Sequence, residues 1–203
     1  MKVSELLVEA NHNKIILVDF QPAYNGGDYG HDDALTRTIK SLNKMNPTDI
    51  LAFYNGEDVG IEDSADDVMH MYIEYGLDES IAQRIEFREK SYAWLRNFMD
   101  EGMDASIIIA LVRYMVVNRI NDSRDIDSET MPQVIGQDNY EEWESLIEGG
   151  DMISIPDIAI NELKSMSGAL IGGGGQHECL KEIQLLMNAF NIKYKEVGDW
   201  IYG

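Results

Sequence analysis

The chain alternates short apolar runs with amphipathic stretches. Lys14-Ile-Ile-Leu-Val-Asp19 is apolar until its last position, the pattern of a strand buried on both faces. Gln21-Pro22 stops it, and Asn25-Gly26-Gly27 makes a loop. Between His31 and Met45, the residues Leu35, Ile39 and Leu42 share one stripe, which predicts a helix ended by Asn46-Pro47. A second strand is expected over Asp49 to Tyr54, followed by the polar turn Asn55-Gly56-Glu57-Asp58. Ser64 is placed to cap a helix reaching Tyr75 and closed by Gly76, and Asp78 starts a shorter one near 80–83. Residues 84–89 alternate and predict a third strand, while residues 3–10 suit a short helix with Leu6 and Leu7 inward.

The middle of the chain reads as helical. Tyr92 to Met99 is aromatic-rich, with Tyr92, Trp94 and Phe98 at core spacing, and Asp104 caps a helix carrying Ile107, Ile108, Leu111, Val112, Met115 and Val116. Residues 121–150 turn polar and acidic, with one short helix near 140–147, and read as an excursion from the main fold. Regular order returns with a strand-like segment at 152–155, a helix over 158–166 and a strand over Ala169–Ile171. Four glycines, a helix over 177–190 and a last strand over 192–197 complete the pattern. Strands alternating with helices imply right-handed crossovers. The expected class is therefore α/β: a three-layer, Rossmann-like sandwich with a mostly parallel central sheet flanked by helices. It is expected as one domain over 1–203, with a helical and acidic insertion at 103–150. The strands starting at Lys14 and Ala169 should both be interior, parallel neighbours or near-neighbours.

Composition narrows the function classes. Of 203 residues, 16 are Lys or Arg and 37 are Asp or Glu, a formal net charge of −21. That balance argues against a broad basic face for nucleic acid. With one cysteine, Cys179, a disulfide scaffold is excluded and a reducing compartment is expected. No apolar run approaches the roughly 18 residues of a membrane span, and no signal-peptide pattern is visible, so a cytoplasmic protein is expected, with homo-oligomerisation open.

In parallel sheets ligands bind at the carboxyl ends of strands. That rule selects Asp19 after the first strand, Asn55 to Asp58 after the second, Glu89 and Lys90 after the third, and Gly172 to Cys179 after the Ala169 strand. A carboxylate ending an apolar run sits at the rim of a core, where its acidity can be tuned. Gly173, Gly174, Gly175 and His177 lie between a strand and a helix, and glycines there let backbone N–H groups approach an anion or oxyanion. A dinucleotide fingerprint fails because His177 stands where its last glycine belongs, and no P-loop Lys-Ser/Thr follows. Cys179, at the start of that helix, is placed for a thiolate favoured by the helix dipole. Arg113, Arg119 and Arg124 form the one local basic cluster, explained by pairing with Asp122, Asp125 and Asp127 or, alternatively, as a clamp on a phosphate or carboxylate substrate.

Val18-Asp19-Phe20-Gln21 resembles the first strand and Asp-x-Gln of the isochorismatase-like cysteine hydrolases, which include nicotinamidases. Gly173 to Leu180 is similar to their G-x-x-T-x-x-C-V stretch, with Gln176 where the threonine stands. The resemblance implies Asp19 as base, Lys90 as the residue that orients and polarises the substrate, and Cys179 as nucleophile. The implied activity is acyl transfer from a small-molecule amide or ester. Two other readings stand beside it. Asp19, Glu57, Asp58 and Glu89, from three strand ends, together with Glu178, would suit Mg²⁺ or Mn²⁺ in a PIN-like nuclease or phosphohydrolase. Alternatively the acidic surface could engage a basic protein partner without catalysis.

Overall fold

The computed structural model describes residues 12–27, 30–56, 60–90, 94–149, 153–154 and 157–203. The expected helix at 3–10 and residues Glu57 and Asp58 lie outside these. The fold is α/β of the Rossmann-like, three-layer class, built on a five-stranded, all-parallel sheet flanked by helices. Its strands are β1 (Lys14–Val18), β2 (Asp49–Asn55), β3 (Ile85–Lys90), β4 (Ala169–Gly173) and β5 (Tyr194–Ile201). Their order is β3-β2-β1-β4-β5, so β1 and β4 are interior, parallel neighbours as expected.

The chain forms two compact units, one of residues 1–91, 166–181 and 192–203 and the other of 92–165 and 182–191. In the first, helices α1 (His31–Met45), α2 (Ala65–Glu74) and α3 (Glu79–Ala82) join the sheet. Ile15, Leu17, Leu35, Ile39, Leu42, Ala52 and Tyr72 share one buried core. Ile16, Val18, Leu51, Phe53 and Ile171 are also buried, which accounts for runs without alternation. Helix α2 begins at a complete capping box: the Ser64 hydroxyl accepts from Asp67 N while the Asp67 carboxylate accepts from Ser64 N. Strand β5 runs four residues past the expected end. It is the sheet's edge, its Lys195, Glu196, Gly198 and Asp199 are exposed, and a register shift opposite Ile171 to Gly173 breaks its period.

The second unit is helical: α4 (Arg96–Asp100), α5 (Ala105–Asn118), α6 (Met131–Ile135), α7 (Gln137–Gly149) and α8 (Asp157–Ser165), with most of α9 (Cys179–Ala189), whose first turn belongs to the sheet unit. Residues 121–150 are more structured than their polarity suggests. Ile126, Met131, Ile135 and Trp143 are buried at wide spacing, which supports two helices and a short 3-10 turn where the sequence shows one helix. Ser123 and Ile153 are joined by two hydrogen bonds of 2.9 Å, so the segment is tied at both ends. Arg124 pairs with Asp122 and Arg113 donates to the Ala189 carbonyl, structural roles for two of the three basic residues. Among the described residues no helix is long and apolar enough to cross a membrane.

Candidate active site

The carboxyl ends of β1, β2 and β3 bring three polar side chains to one place. Asp19 follows β1 in a left-handed backbone conformation, φ 54°, that Asp tolerates better than most residues. Its N–H donates to the Phe53 carbonyl at 2.8 Å, which holds the turn against β2. Lys90 is the last residue of β3 and lies in register with Asn55 of β2. From there its side chain spans β2, and Nζ lies 3.3 Å from Asp19 Oδ2, with both side chains only 2% exposed. Among the described residues the two Asp19 oxygens accept no well-directed hydrogen bond, so the contact with Lys90 is an ion pair held by charge and proximity. Glu89 faces the other way along the strand. It is exposed and lies against Gly56, where a Cβ would meet its carboxylate at 1.9 Å.

Gln21 explains how the loop after β1 is fixed. Fully buried, it mimics a strand partner for Asn55: its Oε1 accepts from Asn55 N at 2.7 Å and its Nε2 donates to Asn55 O at 3.1 Å. The same Nε2 donates to Asp63, which also accepts from Ala23 N. Asn55 is thereby held with its Nδ2 donating to Tyr24 Oη at 3.0 Å and facing Cys179 Sγ at 3.9 Å.

The glycine run has mainly a packing cause. A Cβ on Gly172 would meet Trp200 at 2.5 Å, one on Gly173 the Val18 backbone at 2.0 Å, and one on Gly174 the Tyr202 ring at 1.8 Å. Gly174 N donates to Val18 O, and Gly173 O accepts from Tyr202 N, so these backbone groups are engaged within the sheet. Of the four residues expected to cradle an anion, Gly175 and His177 line a pocket, and Gly173 and Gly174 are not part of its lining. Glu178 N donates to Gly175 O, and Leu180 N to Gly174 O, which turns the chain into α9 with Cys179 as its first residue.

That pocket, about 470 Å³, is walled by Asp19, Tyr24, His31, His177, Cys179 and Tyr202 among others. Burial and then the Asp19 charge push the Tyr24 hydroxyl pKa up to about 12, and the same causes raise Tyr202. Tyr202 donates its hydroxyl hydrogen to the Asp19 carbonyl. His31 is buried, its ring 5.0 Å from that of Tyr202, and burial lowers its pKa below the ordinary imidazole value despite an Asp32 carboxylate 2.9 Å from Nδ1.

Asp19, Lys90 and Cys179 therefore converge. Glu89 and Glu178 are exposed, Glu57 lies outside the described residues, and among the described residues no three His, Cys, Asp or Glu side chains gather to hold a metal. The Lys90 ammonium beside Asp19 opposes a dication at the same carboxylate. Nothing local in the sequence marks Tyr24, His31 or Tyr202 as site residues, and Gln21 stands out there chiefly as a strand stop. Only Gln21, through the Asp-x-Gln pattern, carried a signal. No protein-family model, curated protein or solved structure matches the chain.

Proposed function

We propose that the protein is a small-molecule hydrolase that transfers an acyl group from an amide or ester to Cys179 and then to water. The observation that carries this reading is the buried Asp19–Lys90 ion pair at a pocket whose wall includes Cys179 at a helix start. Asp19 serves as base and takes the Sγ–H proton. Lys90 keeps the carboxylate oriented before the transfer. The helix start and Asn55 Nδ2 favour the thiolate. The thiolate adds to the carbonyl carbon, and the tetrahedral intermediate collapses as protonated Asp19 returns its proton to the leaving group. Water then adds to the thioester and regenerates the thiol. The volume suits a small molecule. The order Asp19, Lys90, Cys179 is the one the isochorismatase-like resemblance implies.

The test is chemical labelling. Iodoacetamide should alkylate Cys179 near neutral pH faster than it alkylates the same thiol in urea, and Asp19→Asn should slow the native reaction. Incubation with p-nitrophenyl acetate should leave an acetyl group on Cys179, detected by mass spectrometry, with turnover reduced about 10²-fold or more in Asp19→Asn. Native labelling no faster than unfolded labelling, unaffected by Asp19→Asn, would overturn the proposal.

A further inference from the structure

Resting on that thiol acyl-transfer reading, we propose that Tyr24 is a further catalytic residue, whose hydroxyl donates a hydrogen bond to the substrate carbonyl oxygen, and that Asn55 is the residue that positions it. A hydroxyl has one hydrogen to give and lone pairs to receive. Tyr24 Oη receives from Asn55 Nδ2 at 3.0 Å, which commits a lone pair and leaves the hydrogen to be placed. No acceptor for that hydrogen is found among the described residues, and Tyr24 lines the same pocket as Cys179. The neighbouring hydroxyl, Tyr202, is already committed to the Asp19 carbonyl. The backbone offers less than the glycine run suggests, because Gly174 N, Glu178 N and Leu180 N all donate to carbonyls within the fold. Burial and the Asp19 charge keep the Tyr24 hydroxyl protonated at neutral pH, the form that can donate.

Asn55 links the two halves of the reaction. One amide nitrogen donates to the hydroxyl and faces the sulfur at 3.9 Å, and its backbone is clamped on both sides by Gln21. Nucleophile and donor are thus held by the same group. In acylation the Sγ–C bond forms while the carbonyl π pair moves to oxygen, and that oxygen lies on the Tyr24 hydrogen. Collapse restores the C=O bond and breaks the bond to the leaving group. The sulfur's original proton, on Asp19, leaves with an amine or returns to solvent when the leaving group is an aryloxide.

The experiment compares two reactions of one thiol in the full chain. Iodoacetamide alkylation has no oxyanion, whereas acetylation by p-nitrophenyl acetate does. Tyr24→Phe keeps the ring and should leave the alkylation rate within twofold of wild type, which also reports a native site. Its Cys179 acetylation, followed by mass, should be slower by about 10²-fold, the usual effect of losing one such donor. Asn55→Ala should slow both reactions and move the alkylation pH profile to higher pH. Equal acetylation of wild type and Tyr24→Phe would overturn the role of Tyr24 while leaving the hydrolase standing. An unmoved pH profile in Asn55→Ala would overturn the role of Asn55. Absence of Cys179 acetylation in the wild type would overturn both the hydrolase reading and this one.

Discussion

Lys90 and Asp19 are each almost fully buried, and each makes the other tolerable. A charge left alone in such a place costs several kcal/mol, more than the pair contributes in net stability. Lys90→Met should therefore lower the unfolding free energy by about 3–5 kcal/mol. Adding Asp19→Asn to it should recover much of that loss, since no unpaired charge remains. Urea titrations of the two variants decide the point, and a double variant no more stable than Lys90→Met would show that the pair is not the source. His31 gives a separate handle. Burial lowers its pKa in the folded state, so below the ordinary value of about 6.5 the unfolded chain binds a proton that the folded chain refuses. Stability is fully present above that pH and declines as pH falls toward the lowered folded value. Proton NMR should find the His31 ring titrating below its ordinary value, and His31→Gln should flatten the pH dependence of the urea midpoint as pH falls below about 7. Asp19 and Cys179 were legible because each sits where an unmistakable run ends or a helix begins. Lys90 was legible from the strand-end rule. Asn55 was legible from the same rule, whereas Tyr24, His31 and Tyr202 matter through contacts between segments far apart in sequence, and nothing local marks them.

At the scale of elements, the end of β4 is the most constrained stretch of backbone. Gly173 combines φ 134° with a Cβ position inside the Val18 backbone, and neither side can yield cheaply. Gly173→Ala should destabilise by about 3 kcal/mol, whereas Gly198→Ala, with no atom within 4 Å of its Cβ position, should stay near neutral. Comparable unfolding midpoints for the two would remove the packing account of the glycine run. Ser64→Ala should cost about 1 kcal/mol through loss of the capping box. These two cases mark how far local reading carries. Ser64 announces α2 by its own chemistry, and α1 follows from its stripe and Asn46. The glycines are also visible, but their cause, the approach of Trp200, Val18 and Tyr202, is tertiary. Helices α6 and α7 were under-read because Met131, Ile135 and Trp143 are sparse anchors in polar sequence. The tail of β5 was under-read because an edge strand with a register shift loses its alternation.

Across the whole molecule, the alternation of strands and helices was enough to fix the class and the parallel sheet, since βαβ connections allow few other solutions. Charge sets a different property. A formal charge of −21 on 203 residues means that like charges repel over the folded surface, and most acids have no cation to meet, with 37 acids against 16 Lys and Arg. Folding gathers those charges into a smaller volume, so their repulsion opposes the compact state. Salt weakens it: raising ionic strength from about 0.01 M to about 0.1 M shortens the screening length from about 30 Å to about 10 Å, below the span of a domain this size. Sodium chloride over that range should raise the melting temperature at pH 7, by about 2–4 °C for each kcal/mol of repulsion removed. The buried Asp19–Lys90 pair is shielded from salt by its burial and should contribute little to the change, so Asp19→Asn should show the same salt slope as wild type. A melting temperature that stays flat or falls with salt would mean that the surface acids are balanced locally, and the excess charge would then carry no stability cost.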